Sequence, residues 1–284
     1  MQVGIIGLGA MGTGMARNIA KSEHVIKVWN RTSAKAQKLA KELNIQAAPS
    51  IQQLVTNADI ILICVAADND VLEVIDAILE SLKPGSIVID TSTVSSATAK
   101  TAAKILAGRQ VHFLDAPVSG GVEGAKNGTL AMMVGGNKNT LEKARPVLDT
   151  MCARILYMGG TGAGQGTKAV NQIMAAGINQ AVTEALAFAD AEGLPLEKVI
   201  DVVSGGAAGN WFLNHRGLTM TQHQYQPGFK LALHHKDLKI CQTMAEKNSA
   251  DLPLVRQTID DYQQLMNDGF GDEDISALFR LKQT

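Results

Sequence analysis

Several protein classes need features that this sequence is short of. Its three cysteines, Cys64, Cys152 and Cys241, are scattered through 284 residues, with no Cys-x-x-Cys pair and no histidine at ligand spacing. An odd, dispersed set argues against a disulfide framework and fits reduced thiols, and Cys64, inside an apolar run, reads as a small core residue. No uninterrupted apolar stretch is long enough to span a bilayer. The N-terminus begins as strand-like sequence, not as a basic region followed by a hydrophobic signal, so the expected compartment is the cytoplasm. A net charge of -1 at pH 7 supplies no global attraction toward nucleic acid or anionic membrane, and neither is an expected partner. Internal repeats, low-complexity tracts and Pro/Ser-rich linkers are also missing.

What is present is ordinary globular material, 46% hydrophobic and 19% charged. Its length exceeds one typical domain, and two are expected. The chain opens with QVGIIGLGAMGTGMARNIA, an apolar run that breaks into Gly7-Leu8-Gly9-Ala10-Met11-Gly12 and continues with helical periodicity. This is a dinucleotide-binding fingerprint in its required setting of strand, glycine turn and helix. Gly7 permits the tight turn, Gly9 lets backbone approach a pyrophosphate, and Gly12 allows close helix–strand packing. The phosphates then meet the unpaired N–H groups and positive end of the new helix. A bare glycine turn without a ligand would not account for the nucleotide-binding pattern that follows.

The next strand, VIKVW (25–29), ends where an NAD-binding unit usually carries Asp or Glu for the adenosine ribose. Here it runs into Asn30-Arg31-Thr32-Ser33. A carboxylate would repel a 2′-phosphate, whereas an Arg fork pairs with it and short hydroxyls add hydrogen bonds. The plainer alternative makes Arg31 a solvated loop charge and Thr32 or Ser33 a helix cap. Two changes pointing one way favour NADP as the cofactor, with NAD second.

Strand and helix signals then alternate: a helix over 34–43, strand 60–65, helix 71–82, strand 86–90, helix 98–107, strands 111–118 and 130–136, ending near RILYMGG (154–160). The apolar runs are continuous, as in strands covered on both faces. After the loop at 159–164 a long helix is expected from Gln165 to Glu192, closed by Gly193 and Pro195. The remainder reads as helices separated by loops at 205–210, 224–229, 252–253 and 268–274. The fold class is therefore α/β, an N-terminal doubly wound sheet (1–162) followed by an all-α C-terminal domain (163–284), joined by a long interdomain helix.

Four polar clusters can carry chemistry. Asp90-Thr91-Ser92-Thr93 and Asp115-Ala116-Pro117-Val118-Ser119-Gly120-Gly121 follow strands, where ligands gather in open α/β sheets. Gly120 and Gly121 let backbone N–H groups approach a substrate carboxylate, although turns and helix caps use the same residues. In GTKAVNQ (166–172), Lys168 shares a helix face with Asn171 and Gln172. A lone helical lysine is usually solvated, but this one lies among Ala169, Val170, Ile173 and Met174. Burial there disfavours its ammonium form and would ease proton transfer near neutrality. In HHKDL (234–238), adjacent histidines do not converge on one ion, so no metal is expected, and Lys236-Asp237 reads by default as a surface ion pair.

Together, GLGAMG, DAPVSGG with NGTLAMMVGG behind it, GAGQGTKAVNQ and PGF…KDL resemble the β-hydroxyacid dehydrogenase family across essentially the whole chain. The resemblance implies an N-terminal Rossmann domain, a helical C-terminal domain and a catalytic cleft between them. By position, Lys168 matches the family's proton-donating lysine, and Ser119, Gly120 and Gly121 match its substrate-carboxylate loop. Asn171 and Gln172 match polar positions beside the lysine, with Phe229 and Asp237 lining or closing the site. Val65, Thr93 and Lys236 fall in the cofactor-facing group. Asn30-Arg31 resembles the NADPH-dependent semialdehyde reductases. The implied activity is interconversion of a small aldehyde acid, a semialdehyde or glyoxylate, with its hydroxy acid. A 3-hydroxyisobutyrate-type dehydrogenase working oxidatively, an imine reductase and a non-catalytic NADP-binding module are the alternatives. Lys168 counts against the second, and the third typically loses that lysine and gains reader or basic segments, neither of which is seen here. A small carboxylate is the expected partner, with self-association as a dimer or tetramer left open.

Overall fold

The structure, a computed structural model, describes residues 1–283. The chain divides into two compact units, Met1–Lys168 and Ala169–Thr284. The first contains β1 (Gln2–Ile6), α1 (Ala10–Ile19), β2 (Val25–Trp29), α2 (Ser33–Leu43), β3 (Gln46–Ala47), α3 (Ile51–Val55), β4 (Ile60–Ile63) and α4 (Asp68–Ile78). It continues with β5 (Ile87–Asp90), α5 (Ser96–Ala107), β6 (His112–Asp115), β7 (Val118–Ser119), α6 (Gly121–Asn127), β8 (Leu130–Gly136), α7 (Lys138–Leu148) and β9 (Cys152–Gly159). The strands form one sheet in the order β3-β2-β1-β4-β5-β6-β8-β7, with β9 on β8. Pairing is parallel from β3 through β6; β8 runs antiparallel to β6 and β7 and parallel to β9.

Continuous apolar strands follow from cover on both faces. Along β4, Ile60 and Leu62 join Val3, Ile5 and Met15 in one core, while Ile61 and Ile63 join Ile6, Leu54 and Ile75 in the other. Each such side chain contributes about 1.5–3 kcal/mol when fully buried. Strand order reverses at β1, which lies between β2 and β4. In open parallel sheets, ligands bind in the crevice that such a reversal opens at the carboxyl ends of the strands.

Three details depart from the sequence expectations. The strand expected over 111–118 is two strands, broken at Ala116-Pro117: β6 pairs with both β5 and β8, and β7 with β8 alone. Pro117 has no N–H for a ladder and contributes only its carbonyl, which accepts from Met133 N at 3.0 Å. The strand expected over 60–65 stops at Ile63, which leaves Cys64 and Val65 in the loop. Elements too short or too polar for a clear period, β3, α3, α6 and α7, were not anticipated. Helix α6 packs on α1 where Gly14 lacks a side chain: a Cβ there would lie 2.8 Å from the Ala125 carbonyl carbon. Asn18 Nδ2 closes the same contact by donating to Ala125 O at 2.6 Å.

Helix α8 (Ala163–Ala191) follows, and the division between the units falls inside it. Gly193, at φ +68, stops the chain beyond it. The second unit adds α9 (Leu196–Ser204), α10 (Trp211–Thr221), α11 (Leu231–Lys247), α12 (Pro253–Asn267) and a short 3₁₀ segment at Ile275–Leu281. Its core gathers Leu186, Phe212, Leu238, Tyr262, Leu278 and Phe279. Asn179, on the buried side of α8, is tied into that core through its Nδ2, which donates to Tyr262 Oη and Ile275 O, both at 2.8 Å, while its Oδ1 is buried without a hydrogen-bond partner. No described helix is long and apolar enough to cross a membrane.

Candidate active site

The β1–α1 turn separates the roles of its glycines. Gly7 has φ +94, and a Cβ on it would strike the Cys64 carbonyl oxygen; a Cβ on Gly12 would strike the Gly7 oxygen. These two are required by the protein's own packing. Gly9, the N-cap of α1, is different: a Cβ there would meet no protein atom within 4 Å. No side chain caps α1 and no acidic residue lies in its first turn, which begins at Ala10 and Met11. An uncapped helix start beside open space fits the pyrophosphate of a dinucleotide.

Asn30 acts as a clamp on this turn. Its Oδ1 accepts from Leu8 N at 2.9 Å, and its Nδ2 donates to Thr32 O at 3.1 Å. Arg31, beside it, is 84% exposed, with Asp70 at 3.6 Å. Thr32 occupies the N-cap position of α2, yet its hydroxyl makes no capping bond. The alternative of a Thr32 side-chain cap is therefore not what the structure shows.

The loops after β4 and β5 are stitched together. Val65 N donates to Ser92 Oγ at 2.9 Å, and Ser92 N donates to Asp90 Oδ1 at 2.9 Å. Burial pushes the Asp90 carboxyl up to about 7; bonds from Ser92 oppose the shift, while Asp115 and Asp68 add to it. Its Oδ2 is buried without a hydrogen-bond partner. Thr93, half-buried, sits in this loop between β5 and α5.

Asp115, at the end of β6, is fully buried. Its Oδ1 accepts from Gly162 N at 2.8 Å and its Oδ2 from Gln165 N at 3.0 Å, both at the start of α8. Burial raises this carboxyl above its usual range, while backbone N–H bonds from Gly162, Gln165 and Gly164 pull it back. Gln165 extends the connection: its Nε2 donates to Ser92 O at 2.8 Å, and its Oε1 accepts from Val94 N at 3.2 Å. Lys168 follows three residues later, on the same helix, and is only 8% exposed. The chain beyond Asp115 reaches Ser119, then Gly120 and Gly121 at φ +122 and +60. Both glycines are exposed, and Gly120 is the N-cap of α6, with no side-chain capping bond.

The second unit carries the remaining polar positions. Gln172 Nε2 donates to Asp237 Oδ2 at 2.6 Å, and Asn171 Nδ2 donates to Gln172 Oε1 at 2.8 Å. Lys236 Nζ lies 2.7 Å from Asp237 Oδ1. The ion pair read from KDL exists, but Asp237 is buried, at 4% exposure, so it is not a surface pair. Phe229 packs on His234 with ring centroids 5.2 Å apart, and its N–H donates to Asp274 Oδ2 at 3.1 Å. His234 contacts Tyr262 Oη at 3.1 Å and Gln172 O at 3.2 Å. Among the described residues, no group of three His, Cys, Asp or Glu side chains is placed to hold a metal ion.

This geometry agrees with the relatives of the chain. Residues 2–160 match the NAD-binding domain of 6-phosphogluconate dehydrogenase. Residues 162–282 match the family described as NAD-binding of NADP-dependent 3-hydroxyisobutyrate dehydrogenase. The chain belongs to the β-hydroxyacid dehydrogenase family. It is 39% identical to an uncharacterized oxidoreductase of Shewanella frigidimarina, over 89% of this chain and 88% of that one. It is 34% identical to the 2-hydroxy-3-oxopropionate reductase of Escherichia coli, over 98% and 96% of the two chains. A solved structure of Mycobacterium tuberculosis 3-hydroxyisobutyrate dehydrogenase with L-serine superposes with a TM-score of 0.92 at 30% identity, covering 100% of this chain and 99% of that one. The family is one of NAD(P)-dependent hydroxyacid dehydrogenases, and the β1–α1 turn has the form its cofactor needs.

The sequence places Asp115 in a polar cluster after a strand and Gln165 at a helix start, but does not reveal that the two meet. The available signal was the glycine run at 159–164, since closely spaced glycines mark places where something must approach the backbone.

Gly9→Ala separates protein packing from cofactor packing. The unliganded protein should melt within about 1 °C of wild type, because the added methyl meets no protein atom. Its affinity for NADPH and NADH should fall by roughly tenfold or more if the pyrophosphate lies against this backbone. Calorimetry and a fluorescence titration of the same preparation read the two effects; unchanged affinity would move the pyrophosphate away from Gly9.

Proposed function

We propose that this protein is an NADPH-preferring reductase of short aldehyde acids, with Lys168 as the general acid. The observation that carries the proposal is a buried lysine held on the first turns of α8, in the unit that also presents the exposed Ser119–Gly121 backbone. The nicotinamide cofactor supplies the hydride for the carbonyl carbon. Lys168 Nζ donates a proton to the carbonyl oxygen, which becomes the hydroxyl of the product. Ser119, Gly120 and Gly121 hold the substrate carboxylate through backbone N–H groups and the serine hydroxyl, which orients the carbonyl toward Lys168. Run backward, the same lysine accepts the hydroxyl proton, so the constellation also serves oxidation of a 3-hydroxy acid. The L-serine named with the M. tuberculosis neighbour is itself a short hydroxylated carboxylate. Glyoxylate and succinic semialdehyde are the first-choice substrates, with tartronate and methylmalonate semialdehydes behind them.

The NADP preference rests on Arg31. Its guanidinium is exposed at the end of β2, and Asp70 stands beyond ordinary hydrogen-bond distance. A 2′-phosphate offers a stronger, charge-assisted partner. Asn171, Gln172, Phe229 and Asp237 complete the substrate side of this proposal, and Val65, Thr93 and Lys236 the cofactor side.

Two substitutions test the two halves separately. Lys168→Ala should lower kcat by about 10²- to 10⁴-fold while leaving NADPH affinity within a few-fold of wild type. Near-normal turnover would remove Lys168 from the mechanism. Arg31→Ala should weaken NADPH by roughly 10- to 100-fold, equivalent to about 1.5–3 kcal/mol, and NADH little. Equal losses for both cofactors, measured by titration, would show that Arg31 does not read the phosphate.

A further inference from the structure

We infer that Asp115 and Gln165 are positioning residues for the reaction, setting where Lys168 stands by fixing the first turn of α8 to β6 and to the Thr93 loop. The inference rests on Lys168 being the proton donor.

Helix starts leave up to four N–H groups without partners, and a neighbouring Ser, Thr, Asp or Asn usually satisfies them. Here the acceptor is not local. Asp115 lies 47 residues before Gly162 and 50 before Gln165, yet its two oxygens take one N–H from each. A local cap would satisfy the amides and leave the helix able to shift relative to the sheet. A carboxylate on β6 ties the helix to the sheet.

The surroundings show how closely this contact is built. A Cβ on Gly135 would lie 2.5 Å from Asp115 Oδ1 and 2.8 Å from Gly164 N. A Cβ on Gly164 would meet the Asp115 and Met133 carbonyl oxygens and lie 2.9 Å from Asp115 Oδ2. The carboxylate therefore sits in a socket of glycines that admits no side chain. Ser96 Oγ, donating to Gly162 O at 3.0 Å, holds the socket's outer edge.

Gln165 is the second connection. Its amide spans Ser92 O and Val94 N, so it grips the backbone on both sides of Thr93. Three residues further along α8 is Lys168, on the same helix side. The chain leaving Asp115 in the other direction becomes the Ser119–Gly121 loop. One carboxylate and one amide thus hold the proposed proton donor, the proposed carboxylate loop and the Thr93 loop in a fixed relation. Displacement of a reacting group by about 1 Å can cost on the order of 10²-fold in rate.

The test compares wild type with Asp115→Asn, Gln165→Met and Lys168→Ala, by steady-state kinetics across pH with glyoxylate and by NADPH titration of the same preparations. Asp115→Asn keeps shape but replaces one acceptor oxygen by a donor; Gln165→Met keeps length and removes both bonds. Each should lower kcat by about 10- to 100-fold with NADPH affinity within about threefold of wild type. Each should also shift the limb of the kcat–pH profile that Lys168→Ala abolishes, a change that simple destabilisation would not produce. Unchanged kcat in both variants, a loss matched by equal loss of NADPH affinity, or an unshifted limb would overturn the inference. If Asp115→Asn does not fold, Gln165→Met decides alone. An active Lys168→Ala would instead overturn the assignment of the proton donor, and with it this inference. An inactive Lys168→Ala beside active Asp115 and Gln165 variants would overturn the positioning role alone.

Discussion

A buried carboxylate receiving the first amides of a long helix is the constraint on which the arrangement depends. Asp115 is removed from water, and an isolated buried charge is costly. Backbone N–H groups from Gly162, Gly164 and Gln165 offset part of that cost, as does the positive end of α8. The exchange works because residues 159–164 are rich in glycine and let backbone close around the oxygens. A side chain at Gly164, or at Gly135 across from it, would strike the Asp115 oxygens.

The second unit uses a directional chain of polar groups. A carboxylate can only accept hydrogen bonds, so Gln172 turns its Nε2 toward Asp237. That orientation aims Gln172 Oε1 at Asn171 Nδ2 and thereby fixes which way the Asn171 amide faces. Lys236 Nζ contacts the other carboxylate oxygen. Donors and acceptors along this chain of amides point consistently, and a buried aspartate determines that orientation.

Much of this was legible in the sequence because it rests on local rules. The turn at Gly7–Gly12 needs glycine for reasons confined to a few residues, and continuous apolar runs report burial on both faces. The position of α8 followed from Gly193 and Pro195 at its end. Less was legible where distant segments meet. The split of 111–118 depended on which strand each half would pair with, and Thr32 could not be excluded as a cap until its hydroxyl was seen to make no such bond. Asp115 and Gln165 escaped because their partners lie far away in the chain. The KDL pair was visible, but not that burial converts it from a surface contact into an anchor for Gln172.

The proposal that these observations support is that the Ser119–Gly121 backbone selects a carboxylate and places the neighbouring carbonyl beside Lys168. The most direct measurement is kcat/KM for the wild-type protein with NADPH over a panel of short aldehydes, each acid paired with a neutral analogue of the same size. The account predicts turnover of the acids and a loss of roughly tenfold or more for their neutral partners, because the loop's donors would lose an anionic acceptor. Equal rates for acids and neutral aldehydes, or no turnover of any acid with either nicotinamide cofactor, would contradict it.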